Sequence, residues 1–452
     1  MLAWSHCPAS YKTYPEQQNG YGTVGKEIRK WVGAERIYMK IEKYSIGTGD
    51  RFGKEGRAQL EAVKEINRLG VEVVPVWNKS NREHMIIGST PANVKTAAAT
   101  AVAEGRYTGN FHIDADHINL ETVDRFIDSS DFFTIDVAQF IGIKPVKDAV
   151  EDFVTRYRKY LGNIFIPGIE KDFKVTTDFL TDLAQNYLVA VDEVRKIYDH
   201  ICIIKGKGSF IAEVSVDEAE LVQGPLELFF ILALLKEKGV EVQTIAPKFS
   251  GLFAKGIDYI GSIKGFASEF EQDVAVIKFA IHELGMQESL KLSVHSGSDK
   301  FSIYPAIRAA MQKFDAGIHV KTAGTTWLEE VIGLAEAGQD GLEIAKRIYD
   351  QSLLRYAELT GPYATVLNIN KKMLPTAGDV RGWNSRQFSK ALTHDQKCKD
   401  YNPDFRQLIH VGYKIAAELG EQFISTLDKH HEIIAGKVKN NLLERHLKPL
   451  FL

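Results

Sequence analysis

The sequence predicts an α/β fold, a (β/α)₈ barrel of TIM type with a helical insertion and a C-terminal helical extension. Three observations point there. Eight short apolar or alternating segments are separated by stretches of helical period. Several of these segments end in charged or imidazole side chains, as strands do where they open onto a barrel mouth. Those polar residues fall in many different units, whereas a doubly wound sheet in two domains, the competing arrangement, would gather them at one switch point.

The elements follow in order. Residues 1–35, rich in Tyr, Gly and Pro without a period, read as an irregular lead-in, and the barrel occupies 36–327. The first strand is read from the alternation over 37–44, followed by the loop Gly47-Thr-Gly-Asp50-Arg51 and a helix over 57–69. A strand at 71–77 and a helix opened by Thr90-Pro91 form the second unit. The third strand, in the stretch 109–118, runs into the adjacent pair Asp116-His117, and the fourth covers 132–137. A mostly helical insertion, 146–200, is too long for an ordinary barrel connection. The fifth strand, 209–218, precedes a buried apolar helix from Pro225 to Lys238, and the sixth lies at 240–248. The seventh and eighth carry His295 and His319, and 328–452 is a helical extension. Within it, the turn-rich stretch 374–385 is placed as a lid folding back over the mouth.

Composition narrows the function. With 44% apolar and 25% charged residues and a net charge of -3, the chain has the makeup of a globular protein with a large core and no basic field for nucleic acid. Three widely spaced cysteines exclude a disulfide framework and a four-thiolate zinc site, and fit a reducing cytoplasm. The first residues lack a secretory pattern and no window spans a membrane, so the expected partner is a small molecule, with a homo-oligomer possible.

The chemistry is expected at the strand ends. His117, His295 and His319, from distant parts of the chain, are candidate ligands of one divalent cation, and imidazoles suit zinc, manganese, iron or nickel. Each of them has a blander reading as a buried, hydrogen-bonded histidine. Asp116 is the candidate proton acceptor, with a histidine-orienting carboxylate as its alternative role. Glu213, mid-strand and on one face with Ser215 and Asp217, is the candidate proton donor or a fourth ligand. Asp217 and Glu218 are its alternatives. Arg51, Lys248, Lys300 and Lys321 are candidate substrate-binding cations for a carboxylate or phosphate, although singly each fits a surface salt bridge. No Rossmann or P-loop pattern indicates a nucleotide cofactor.

The segments His112-Ile-Asp-Ala-Asp-His117, Ala212-Glu-Val-Ser-Val-Asp-Glu218, Val294-His-Ser-Gly-Ser-Asp-Lys-Phe301 and Ile318-His-Val-Lys-Thr-Ala-Gly-Thr-Thr-Trp327 resemble the tagaturonate epimerase family over most of the chain. The resemblance implies a divalent metal and an acid–base pair acting at carbon 4 of tagaturonate and fructuronate, or of the related tagatose and fructose. Asp116 would be the base, and His117, His295 and His319 the ligands. Hydrogen on carbon 4 of a 2-keto sugar is not alpha to the ketone, so inversion there is expected by retro-aldol cleavage and re-addition, with a metal-stabilised enediolate. The alternatives are a metal-dependent aldose-ketose isomerase and, from another class, a non-catalytic sugar-binding protein.

Overall fold

Eight parallel strands close into a barrel. They are β1 (Tyr44–Gly49), β2 (Val73–Asn78), β3 (His112–Ile118) and β4 (Phe132–Asp136), then β7 (Ile211–Ser215), β8 (Val242–Ala246), β9 (Lys291–His295) and β10 (Ile318–Lys321). Their order around the barrel is β1-β10-β9-β8-β7-β4-β3-β2. Between β4 and β7 the insertion holds the helices Lys147–Tyr157 and Thr177–Lys205 and an antiparallel hairpin, β5 (Gly162–Ile164) with β6 (Phe173–Val175). This computed structural model describes residues 38–452 except Leu221 and Ala323, so the expected lead-in over 1–35 lies outside the described residues.

The first strand differs from the sequence reading. The alternating stretch 38–43 precedes β1 and runs beneath the barrel, where Met39 N–H donates to the Gly208 carbonyl (2.8 Å) and Ile41 N–H to Gln243 Oε1 (2.9 Å). Ile41 packs there with Val76, Phe132 and Ile211, an apolar plug that closes the floor. The strand proper begins at Tyr44 and takes in the glycines read as a loop. Gly47 gives its neighbours room, because a Cβ there would stand 3.0 Å from both Asn78 Nδ2 and Lys321 Cγ, tighter than ordinary contact.

The apolar surface lies in two main masses. One sits between the strands and the surrounding helices, including Pro225–Glu237, whose residues Leu228 to Leu235 are buried on every side of the helix. The other joins the helices after β10, from Thr325–Ala337 and Gln339–Leu354 to Pro403–Val411 and Glu421–Lys429. The stretch 374–385 belongs to that second mass. Its helix Ala377–Gly382 buries Val380 there, and the Pro375 carbonyl accepts from Tyr349 (2.7 Å), so it packs on the extension where a lid over the mouth had been expected. Among the described residues no helix is long and apolar enough to cross a membrane.

Candidate active site

Strand alternation turns one face of each strand inward, and here that face is polar from mid-barrel to the mouth. Asp114 and Asp116 on β3, Thr134 and Asp136 on β4, Glu213 on β7, His295 on β9 and His319 and Lys321 on β10 share it. So many buried acids need a cation. Lys321, 4% exposed, supplies one: its Nζ lies 2.7 Å from Asp114 Oδ2, 3.0 Å from Asp116 Oδ1 and 3.0 Å from Glu213 Oε1. Burial disfavours the ammonium, but the three carboxylates outweigh it and hold Lys321 well above the ordinary lysine value. The acids answer unequally. Burial raises all of them, yet Lys321 and the histidines bring Asp116 below its usual value and Glu213 far below, while Asp114, facing both of those charges, is pushed up to about 7.

His117 reaches the mouth by a backbone exception. Alternation would point it away from Asp116, but it adopts φ 52° where the β3–β4 register shifts, and this turns its ring inward. Its Nδ1 bonds Asp136 Oδ2 (2.8 Å), leaving Nε2 at 4.0 Å from Asp116 Oδ1. The His295 ring stands edge-on to it, with centroids 5.0 Å apart. His295 Nε2 bonds Glu213 Oε1 (2.8 Å), and its Nδ1, buried and without a hydrogen bond, lies 3.2 Å from Asp217 Oδ2. Burial works against both imidazolium ions, but the surrounding carboxylates raise His117 to about 10 and His295 to about 9.

Each ring thus has one nitrogen fixed by a carboxylate and one left over. Ligand atoms of His117, His295 and Asp217 lie within 4.8 Å of one another, and so do those of His117, Asp136 and Glu218. Imidazoles oriented by carboxylates at their far nitrogens, beside the Asp217 carboxylate that Ser215 holds, are a donor set that fits a divalent cation such as zinc, manganese or iron.

His319 is not brought together with the other two histidines. It pairs in register with Ser45 and Ser293, two residues below Lys321, and so sits about 6.6 Å deeper along the strand. There its Nδ1 bonds Ser45 Oγ (2.9 Å), Phe132 packs on the ring, and burial lowers its value to about 3. Among the described residues no candidate ligand group includes it. Glu213 is placed at the site but held from four sides, by Thr134 (3.1 Å), Thr244 (2.8 Å), His295 and Lys321, with no exposure. Of the four candidate substrate cations, only Lys321 meets the carboxylate cluster. Lys300 is buried and donates to the carbonyls of Ala254 (2.9 Å) and Ile257 (2.7 Å), and Lys248 donates to that of Ala219. Arg51 stands at the rim beyond β1. The sequence reading passed over Asp114 and Asp136. Their two-residue spacing from Asp116 and Thr134 is the signal that places them inside.

A closed parallel barrel whose mouth gathers an ionised carboxylate, a buried ammonium and a metal-compatible imidazole pair defines an enzyme of the barrel class, built for proton transfer on a polar small molecule. Comparison with known proteins narrows this. The family model for tagaturonate epimerase matches residues 14–450, and the chain belongs to that family, whose members are epimerases of the isomerase class. It is 30% identical over 420 residues to a tagaturonate/fructuronate epimerase of Thermotoga maritima, covering 89% of this chain and 80% of that one. Crystal structures of the fructuronate-tagaturonate epimerase of Cohnella laeviribosi superpose with TM-scores of 0.76 for a glycerol complex and 0.75 for the native form. Both are 25% identical, covering 91% of this chain and 82% of theirs.

Proposed function

We propose that this chain interconverts tagaturonate and fructuronate by inverting carbon 4, with His117, His295 and Asp217 as the ligands of a divalent cation and Asp116 as proton acceptor. The observation that carries this reading is the convergence of those three ligand groups within 4.8 Å beside the ionised Asp116. His117 would offer Nε2 and His295 Nδ1, the nitrogens their carboxylate partners leave over. A bound cation, zinc, manganese, iron or nickel by its donors, supplies Lewis-acid stabilisation of negative charge on the ketone end of the sugar. Cysteines 202 and 398 are free thiols, which goes with a cytoplasmic enzyme.

The residues then divide the proton work. Asp116, kept ionised by Lys321, takes the carbon 4 hydroxyl proton; the bond between carbons 3 and 4 breaks to an aldehyde and an enediolate; the aldehyde turns and the bond re-forms on its other face. Glu218, exposed and grouped with His117 and Asp136, relays a proton from solvent to the carbon 4 oxygen, and Asp116 gives its own up to solvent, which resets the pair. Glu213, held ionised and bonded on both oxygens, is unsuited to give up a proton and instead orients His295 and Lys321.

The test is turnover of tagaturonate in deuterium oxide, with products separated by chromatography. Fructuronate without deuterium at carbon 4 is expected, with activity lost to a chelator and restored by metal. Deuterium at carbon 4 excludes the cleavage route, and absence of fructuronate overturns the reading.

A further inference from the structure

Buried polar atoms without partners gather in one sector of the mouth, away from the imidazole pair. Asn78 ends β2, is 2% exposed, and has neither its Nδ2 nor its Oδ1 hydrogen-bonded. Its Nδ2 and Lys321 Cγ both crowd the space where Gly47 would carry a Cβ, so Asn78 borders the cluster around Lys321. Arg51, two residues beyond β1 and 5% exposed, has its Nε on Glu83 (3.0 Å) and its guanidinium over the Tyr413 ring (4.4 Å), while Nη1 bonds nothing. Arg51, Asn78 and Lys79 line one cavity of about 460 Å³. His410, with both ring nitrogens unpartnered, abuts Gly324 just past β10. The three strands concerned, β10, β1 and β2, are consecutive in the barrel.

Unpartnered buried donors cost free energy in the empty protein, so their concentration marks what a ligand is meant to satisfy. A guanidinium held at one edge by a carboxylate and on its face by an aromatic ring has its remaining edge set for an anion, with little rotamer freedom left to lose. The charges that bear on His410 are Arg51, Lys255, Arg406 and Lys300, all cations. Of the nearby acids, Glu83 is paired with Arg51, and Asp50 accepts from the N–H groups of Gly53 (2.7 Å) and Glu55 (2.8 Å). Burial and neighbouring acids push Glu330 far above the ordinary carboxylate value, making it a neutral donor.

We propose that the β10–β1–β2 sector is the subsite for the substrate's carboxylate, with Arg51 Nη1 and the Asn78 amide as its donors and His410 as its wall. The assignment rests on the hexuronate reading above and sharpens it: the sugar lies across the mouth, reacting carbons toward His117 and His295, carboxylate toward Arg51. Selection of a sugar acid over the neutral ketohexose originates here, and Tyr413 makes the C-terminal helices part of it.

The test compares tagaturonate with tagatose, taken as slow substrate by its kcat/KM or as competitive inhibitor by its inhibition constant. Arg51→Gln is expected to lower the preference for the acid at least about tenfold, with Arg51→Lys recovering part of it. Asn78→Asp, isosteric and negatively charged, is expected to lower it as well, and it decides the matter alone if circular dichroism shows Arg51→Gln unfolded. A folded variant set with unchanged preference overturns the subsite while leaving the epimerase reading intact. A wild type inactive on tagaturonate overturns that reading, and the subsite with it.

Discussion

At the scale of single residues, the two imidazoles at the mouth and the one beneath them separate by depth and by what holds them, since His319 too leaves one nitrogen, Nε2, without a partner. His117 and His295 each keep one nitrogen for a carboxylate and turn the other to a shared space, whereas His319 is held by Ser45 under Phe132. On the proposed ligand set, replacing His117 or His295 by Ala is expected to abolish divalent-cation binding, while His319→Gln is expected to keep it. Elemental analysis against protein concentration measures this, and loss of metal from the His319 variant with a native circular dichroism spectrum would count against the ligand set. The sequence carried His295 and His319 equally well, since both end an apolar run. Register decides between them: Lys321 pairs with His295 and leaves His319 below. His117 was legible only as a neighbour of Asp116, because nothing in the letters announces the positive φ that puts both side chains in the mouth.

Elements were legible where their pattern was mechanical, and less so where a strand's inner face is built from what it must avoid. The helix Pro225–Glu237 and the strands around His295 and His319 fall where period and punctuation placed them. β1 did not, because its glycines, Gly47 and Gly49, read as a loop, although Gly47 makes room for Lys321 and Asn78. The extension read as helical over 328–452 is a series of separate helices, broken at Gly412 and at Gly420, the latter at φ 55°. One tie between these helices and the barrel is a side chain in the loop after β9. Asp299 is fully buried and accepts from Thr325 (3.0 Å), Arg406 (2.8 Å), His394 (3.1 Å) and His446 (3.0 Å). Burial alone would raise its pKa, but Arg406 and the two histidines hold it well below the usual 3.8. A depressed carboxylate stabilises the fold fully above its unfolded value, and that contribution drains away as the pH falls below 3.8 toward the folded one. Asp299→Asn leaves Arg406 buried beside a neutral group and is expected to cost about 3–5 kcal/mol in urea melts at neutral pH. The wild type should lose its advantage over the variant as the pH is lowered through that window. An advantage that persists unchanged at pH 2 would mean the Asp299 charge is not what fastens the helices.

The whole molecule is more than a barrel with an appendage, because the chain's last turns return to the barrel. After His431–Asn440 the backbone widens into a π-helical stretch, Asn441–Leu447, continuing as Lys448–Phe451. Leu442, Leu443, Leu447 and Leu450 are buried in the barrel-centred mass rather than in that of the preceding helices, and Phe451 meets the Tyr44 ring at 5.0 Å where β1 begins. His446 bonds Tyr304 (2.6 Å) as well as Asp299, so the same stretch also ties down the helix after β9. The extension is therefore a clasp: it leaves the barrel after β10, builds its own core, contributes Tyr413 to the rim, and closes back on the barrel wall. Removing residues 441–452 uncovers four leucine sites, each contributing about 1.5–3 kcal/mol when fully buried. Their sum is comparable to the whole stability of a domain, about 5–15 kcal/mol. The shortened chain is expected to be insoluble or to melt at least about 15 °C below the full one, a larger loss than Asp299→Asn produces. Solubility after expression and a thermal melt by circular dichroism measure it. A truncated protein that melts with the full-length chain would show the barrel to be self-sufficient and reduce the clasp to an attached helix.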